Sequence, residues 1–175
     1  MALLTEDALG ELLDGFSHTA FRFEIREGYN SDVGRESFQR FLRDEPDDYP
    51  WHRSWMEKVR RDARDGKLWQ RVRIVSVPMS PYTRYGIRVA RLSVDAGEDI
   101  RYLRRDDAAR LALRPYDSWL LDGGTLVHLH FSDADDTFLG AESVTDTILV
   151  QRHNAWRELA LRHAVPLDEF VAAYG

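Results

Sequence analysis

Cysteine is absent from all 175 residues. The chain therefore has no disulfide, no thiolate metal site and no thiol nucleophile, a composition suited to a reducing cytoplasm. Lysine is nearly absent as well: two lysines stand against 22 arginines, a ratio expected of a GC-rich coding sequence. No apolar run approaches the roughly 18 residues that cross a bilayer, so no membrane association is expected. The opening MALLTEDALGELLDGF is acidic and has no basic n-region, which argues against a signal peptide and for a cytoplasmic location. The nucleophile elbow GxSxG, the dinucleotide fingerprint GxGxxG and the P-loop GxxxxGK[ST] are all missing. No cofactor is expected on these grounds.

What is present supports one domain spanning residues 1–175, since 43% of the residues are hydrophobic and can fill a single core. The net charge of −6 hides an asymmetry. Residues 53–91 carry eleven bases against three acids, whereas the chain from Ser132 onward carries eight acids against three bases. Internal pairing between these two regions is the first expectation, and an anionic partner the second.

Periodicity places a helix over residues 5–16, with Thr5 as its cap and Leu4, Ala8, Leu12 and Phe16 inward. Alternation over Ala20–Arg26 gives a strand with Phe21, Phe23 and Ile25 on one face. Helices follow over 31–42, with Phe38, Phe41 and Leu42 inward, and over 51–65, with Trp51, Trp55, Val59 and Ala63 inward. Trp69–Val77 reads as a strand, with Val72 and Ile74 opposite Arg71 and Arg73. Ser80 caps a helix that Gly97 ends, with Tyr82, Tyr85, Val89 and Leu92 buried and Arg84, Arg88 and Arg91 on another face. Asp99–Leu103 is a short strand and Asp106–Leu113 a short aspartate-capped helix. Ser118–Leu121 and Leu126–Phe131 form a hairpin around Asp122-Gly123-Gly124. A strand at Phe138–Val144 and a helix over Thr147–His163 follow, the latter with Ile148, Trp156, Leu159 and Ala160 inward. Val165-Pro166 breaks that helix before a last turn or two. The fold class is α/β, a mixed sheet with flanking helices and extra helical elements at the N-terminus.

Candidate chemistry is sparse. His128 and His130 point to one side of a strand and, with Asp133, could ligate zinc or iron in a metal-dependent hydrolase. They partly resemble the HxHxDH pattern of metallo-β-lactamase-like hydrolases, but the aspartate is one residue late and the following histidine is missing. Glu98, Asp99 and Arg101 mark a helix–strand junction of the kind that lines clefts, where Glu98 and Asp122 could do acid–base work if brought together. A nucleic-acid surface would use Arg71, Arg73, Arg84, Arg88 and Arg91 with Trp69, Tyr82 and Tyr85, but the tyrosines fit a buried stripe and the pI near 5.5 is acidic.

Several strings together resemble an actinobacterial family of unknown function, DUF6879. They are Ala20-Phe21-Arg22-Phe23-Glu24 with Tyr29, Trp55 to Arg60, Arg71 to Ser80, Ala96 to Leu103 (AGEDIRYL), Asp117 to Asp122 (DSWLLD) and Phe131. The resemblance covers nearly the whole chain. It implies a small cytoplasmic protein of a kind often encoded beside helix-turn-helix regulators, and it implies no activity. The C-terminal half is also similar to half of a phospholipase D-like domain. Aligning the aspartate of that family's HxKxxxxD on Asp122 puts Pro115 and Asp117 at its histidine and lysine positions, so the likeness implies a degenerate, binding version. The expected function is a non-enzymatic regulatory or accessory protein. It would bind a partner protein, such as a DNA-binding regulator, or a small ligand. The surfaces are Arg84, Arg88 and Arg91 for a partner, and Glu98, Arg101, Trp119 and Asp122 for a pocket.

Overall fold

The computed structural model describes residues 3–175. Among the described residues one sheet of seven strands runs in the order β6-β5-β4-β1-β2-β3-β7. The strands are β1 Thr19–Glu24, β2 Leu68–Val75, β3 Asp99–Arg104, β4 Ser118–Leu121, β5 Thr125–Phe131, β6 Phe138–Val144 and β7 Val165–Pro166. The helices are α1 Glu6–Gly15, α2 Arg35–Leu42, α3 Arg53–Arg64, α4 Pro81–Ala96, α5 Arg105–Arg110, α6 Thr147–His163 and α7 Leu167–Tyr174. Strands β1, β2 and β3 run parallel, joined by helical crossovers, and all other pairings are antiparallel. The sheet is therefore mixed, as the alternating middle of the chain and its C-terminal hairpin require.

Both faces of the central strands are covered. On one face Phe21, Phe23, Val72, Ile74, Leu103, Leu120 and Leu126 pack under α5 and α6. On the other, Ala20, Trp69, Trp119, Leu121, Val127 and Leu129 pack under α1 and α3. Farther along that second face, Val75, Ile100 and Tyr102 pack under α4 and α7. Strand alternation puts Arg22, Glu24, Arg71 and Arg73 between these two apolar patches, on the covered side.

The chain departs from the sequence expectations where a helix phase or a cap was misjudged. Ala63 is exposed, and Asp62 turns inward to accept a bond from Trp69 Nε1 at 2.9 Å. Leu42 and Ile148 sit at helix ends and are 49% and 64% exposed. Helix α2 starts at Arg35, because Gly34 is left-handed at φ 81°. Helix α5 starts at Arg105 behind Arg104, with no side-chain cap. The Val165–Pro166 breaker pairs with β3 as a short strand. The expected pairing of the basic middle with the acidic tail reduces to Arg91 with Asp168 at 2.7 Å, while Lys58, Arg71 and Arg73 pair with acids elsewhere.

The β4–β5 turn keeps the predicted Asp122-Gly123 geometry, with both residues at positive φ, 50° and 67°. Asp122 does more than turn the chain. Its carboxylate accepts the backbone N–H groups of Ser17, His18 and Thr19 at 2.8, 2.7 and 2.8 Å. These three bonds hold its carboxyl below the ordinary aspartate range, against the opposing effect of burial. Replacing Asp122 with Ala should destabilise the fold by about 1–2 kcal/mol by urea titration, with an unchanged m-value.

Candidate functional site

The two central parallel strands set like charges side by side. Arg22 of β1 is the register partner of Arg71 of β2, and Glu24 that of Arg73. Two guanidinium groups directly opposite repel unless carboxylates separate them. Glu24 does this. One oxygen lies 2.6 Å from Arg71 Nη1 and 3.8 Å from Arg22 Nε, and the other lies 2.8 Å from Arg73 Nε. Glu98, entering β3, lies 2.8 Å from Arg71 Nη2 and accepts a bond from Trp55 Nε1 at 3.1 Å. Asp117, entering β4, lies 3.4 Å from Arg22 Nη2 and accepts the Tyr29 hydroxyl at 2.5 Å. Arg22 also lies 5.4 Å over the Trp119 ring. The cluster is thus three arginines against three carboxylates, walled by aromatic rings.

Burial governs its titration. Burial alone would raise Glu24, but Arg71, Arg73 and Arg22 outweigh it and hold the carboxyl at about 2. Burial lifts the Asp117 carboxyl above its usual range despite Arg22. Tyr29 is pushed well up, by burial and then by Glu24 and Asp117. His52, on the 3₁₀ turn Pro50–His52, is held neutral at about 4 by burial and by Arg71, and its Nε2 meets Ser93 Oγ at 2.8 Å.

A cavity of about 180 Å³ opens beside this cluster, between the sheet and α4. Its polar end is Glu24, Arg71, Arg73, His52 and Ser93, and the rest is Tyr29, Trp51, Tyr82, Tyr85, Val89, Ala90 and Ile100. A shallower groove of about 490 Å³ shares Glu24, Trp51, His52 and Arg71 with it and reaches Arg22 and Trp119. Gly86 on α4 permits the close approach: a Cβ there would stand 2.3 Å from Arg73 Nη1. Around the cluster, Arg22 Nη1, Arg73 Nε and the Tyr102 hydroxyl are buried without a hydrogen-bond partner among the described residues, and of the three residues Arg73 lines the cavity. The Arg73–Glu24 contact is an ion pair whose N–H is not aligned for a hydrogen bond.

The structure brings together Arg71, Arg73, Glu98 and Trp119 of the residues singled out in the sequence. It separates the others. Arg101 lies on the opposite face, bonded to Asp99 at 2.9 Å and to the Leu161 carbonyl at 3.1 Å. Asp122 is the turn clamp, so Glu98, Arg101, Trp119 and Asp122 do not form one pocket. Arg84, Arg88 and Arg91 are exposed on α4, and each has a local contact: the Met79 carbonyl at 2.8 Å, the Phe41 ring at 4.6 Å and Asp168 at 2.7 Å. Trp69 and Arg73 are buried, so the basic and aromatic residues of 53–91 do not share one open surface.

The set His128, His130 and Asp133 is not assembled. Beyond β5 the chain turns, and Asp133 faces solvent 3.4 Å from Arg26. Among the described residues no group of three or more His, Asp or Glu side chains could hold a metal ion. His130 instead meets Glu142 at 2.9 Å, and His128 stacks with Tyr116 and His153 at 4.5 and 5.1 Å.

Sequence reasoning missed Arg22, Glu24, Tyr29, His52 and Asp117 as site residues. The alternation of Arg22 and Glu24 with Phe21 and Phe23 was visible, but it reads equally as a strand with one face in water. The distinguishing signal was the run of helical segments between strands, which implies a parallel centre covered on both faces.

Removing the central carboxylate should be severe. Glu24→Gln leaves three buried arginines short of one counter-charge and is expected to cost about 3–5 kcal/mol by chemical denaturation, whereas Glu45→Gln on the exposed surface should cost little. The His52 imidazole takes up its proton near 6.5 when unfolded and near 4 when folded, so the unfolded state binds more protons between these values. Stability should fall by about 3 kcal/mol from this residue as pH drops from 6.5 to 4. Urea titrations at pH 7 and 4.5 should show a smaller difference for His52→Gln than for the unaltered protein.

The chain also has recognisable relatives as a family. Among the described residues no helix is long and apolar enough to cross a membrane. Among curated proteins no match to the chain is found. A family model described as a domain of unknown function (DUF6879) matches residues 7–172. That span includes all seven strands and every residue of the Arg–Glu cluster, and the chain belongs to the DUF6879 family.

Proposed function

We propose that this chain is a non-enzymatic regulatory protein that binds a small anionic ligand beside the Arg–Glu cluster. The observation that carries this reading is the cavity beside the cluster, whose lining sets the Arg71 and Arg73 guanidinium groups among Tyr29, Trp51, Tyr82 and Tyr85. Charged donors in a cavity wall favour an acceptor-rich guest, because their hydrogen bonds to carboxylate or phosphate are stronger than those between neutral groups. The modest volume of about 180 Å³ supports a small molecule over a nucleic-acid strand, which needs a long groove.

In this reading residues 99–131 are a degenerate phospholipase D-like half-domain retained for binding. The partner that reads the liganded state is a cytoplasmic protein such as a helix-turn-helix regulator, docking on the outer face of α4 through Arg84, Arg88 and Arg91. Helix α4 supports this route because its inner face lines the cavity while its outer face carries the three arginines.

Thermal unfolding in the presence of small anions tests the reading. Acetate, benzoate, succinate and inorganic phosphate should be compared at matched ionic strength. A ligand present at a hundred times its Kd adds about 2.7 kcal/mol, which should raise Tm by several degrees. No shift with any anion, together with native mass spectra free of any bound small molecule, would remove the proposal.

A further inference from the structure

The shape and lining of the cavity narrow the ligand class, an inference that rests on the anion-binding reading. From the geometry we infer that the guest is a monocyclic aromatic carboxylate, of about the size of benzoate or phenylacetate. Its volume sets the scale. The cavity holds about 180 Å³, and an apolar protein cavity of about 150 Å³ accommodates benzene. One ring with one short acidic group fills it, whereas a nucleotide or sugar phosphate would extend into the groove that shares Glu24, Trp51, His52 and Arg71 with it.

The lining sets the chemistry. It presents Arg71 and Arg73, whose positive charges survive burial because Glu24 stands between them. A planar guanidinium matches a carboxylate in geometry as well as in charge. Trp51, Tyr82 and Tyr85 with Val89, Ala90 and Ile100 complete the lining. Tyr82 and Tyr85 belong to a wider group of rings, with centroids 6.0 Å apart and Phe38 5.2 Å from each. Such walls favour the edge and face contacts of another aromatic ring over those of an aliphatic chain. His52, in the same lining, stays neutral and adds no charge to attract a second acidic group. Arg71 already commits its Nε and both Nη atoms to Glu98 and Glu24, so the carboxylate of the guest sits at Arg73, and its ring lies between α4 and the 3₁₀ turn.

Calorimetry on the full chain with benzoate, phenylacetate, cyclohexanecarboxylate, acetate, inorganic phosphate and adenosine monophosphate distinguishes the possibilities. Benzoate or phenylacetate should bind at least tenfold more tightly than cyclohexanecarboxylate or acetate, and adenosine monophosphate should not bind. Ala90→Leu fills the aliphatic wall without touching the charged cluster. It should weaken aromatic acids at least tenfold while keeping the native circular dichroism spectrum. Should that variant fail to fold, Tyr82→Leu provides the same readout from the other wall. Acetate or phosphate binding as tightly as benzoate would overturn the aromatic inference and leave the anion site standing. Absence of binding by every anion would overturn both.

Discussion

The carboxylate of Glu24 is the constraint on which the rest depends. Two parallel strands at the middle of the sheet place arginines next to each other on a face that helices cover. Without a carboxylate between them, that face could not close. Each oxygen of Glu24 meets at least one guanidinium, and the carboxyl stays ionised at about 2 although it is buried. Buried ion clusters of this kind are poor stabilisers compared with apolar packing, because desolvation offsets most of their attraction. Their presence at the centre of a face that is otherwise apolar calls for a reason other than stability. The Trp69 and Trp119 patch on one side and the Val75 and Tyr102 patch on the other supply the packing that the cluster does not.

The overall architecture was legible in the sequence, and the site was only half legible. Alternation in Ala20–Arg26 and Trp69–Val77, the Ser80-Pro81 start of α4 and the Asp122-Gly123 turn each carry local signals, and local signals survive folding. Arg71, Arg73 and Glu98 were visible as charged residues at strand positions or a strand entry. Their convergence was not visible, because it depends on strand register that joins residues 27 and 47 positions apart along the chain. Arg22 and Glu24 look like the wet side of a strand until the neighbours of β1 are known. His128 and His130 show the converse error. Their spacing was read correctly as one face of a strand, but the third member was sought next to them in sequence, and the chain sends Asp133 to Arg26.

The two faces of the sheet treat polar groups differently. On the α4 side the charges are concentrated around a cavity. On the α6 side Gln70, Asp99, Arg101 and Arg157 form a chain of short bonds, including Arg157 to Gln70 at 2.7 Å and Gln70 to Asp99 at 3.2 Å. That second network ties α6 to β2 and β3 and has the character of a structural seam. Gly86 belongs to the α4 side: its missing Cβ lets the Arg73 guanidinium lie against the helix.

The Asp122 clamp has a consequence for how the chain reaches its native state. The groups it joins are 103 to 105 residues apart. The entry into β1 is therefore not secured until the β4–β5 turn exists, although β1 is the strand on which both β2 and β4 assemble. Closing so long a loop is entropically slow, and its contacts reward the chain late. A nascent chain ending before residue 122 has its first strand but lacks the acceptor that orders the approach to it. The three N–H groups that lead into β1 thus find their acceptor only when the hairpin has been made, whereas the register of β1 with β2 rests on their own pairing.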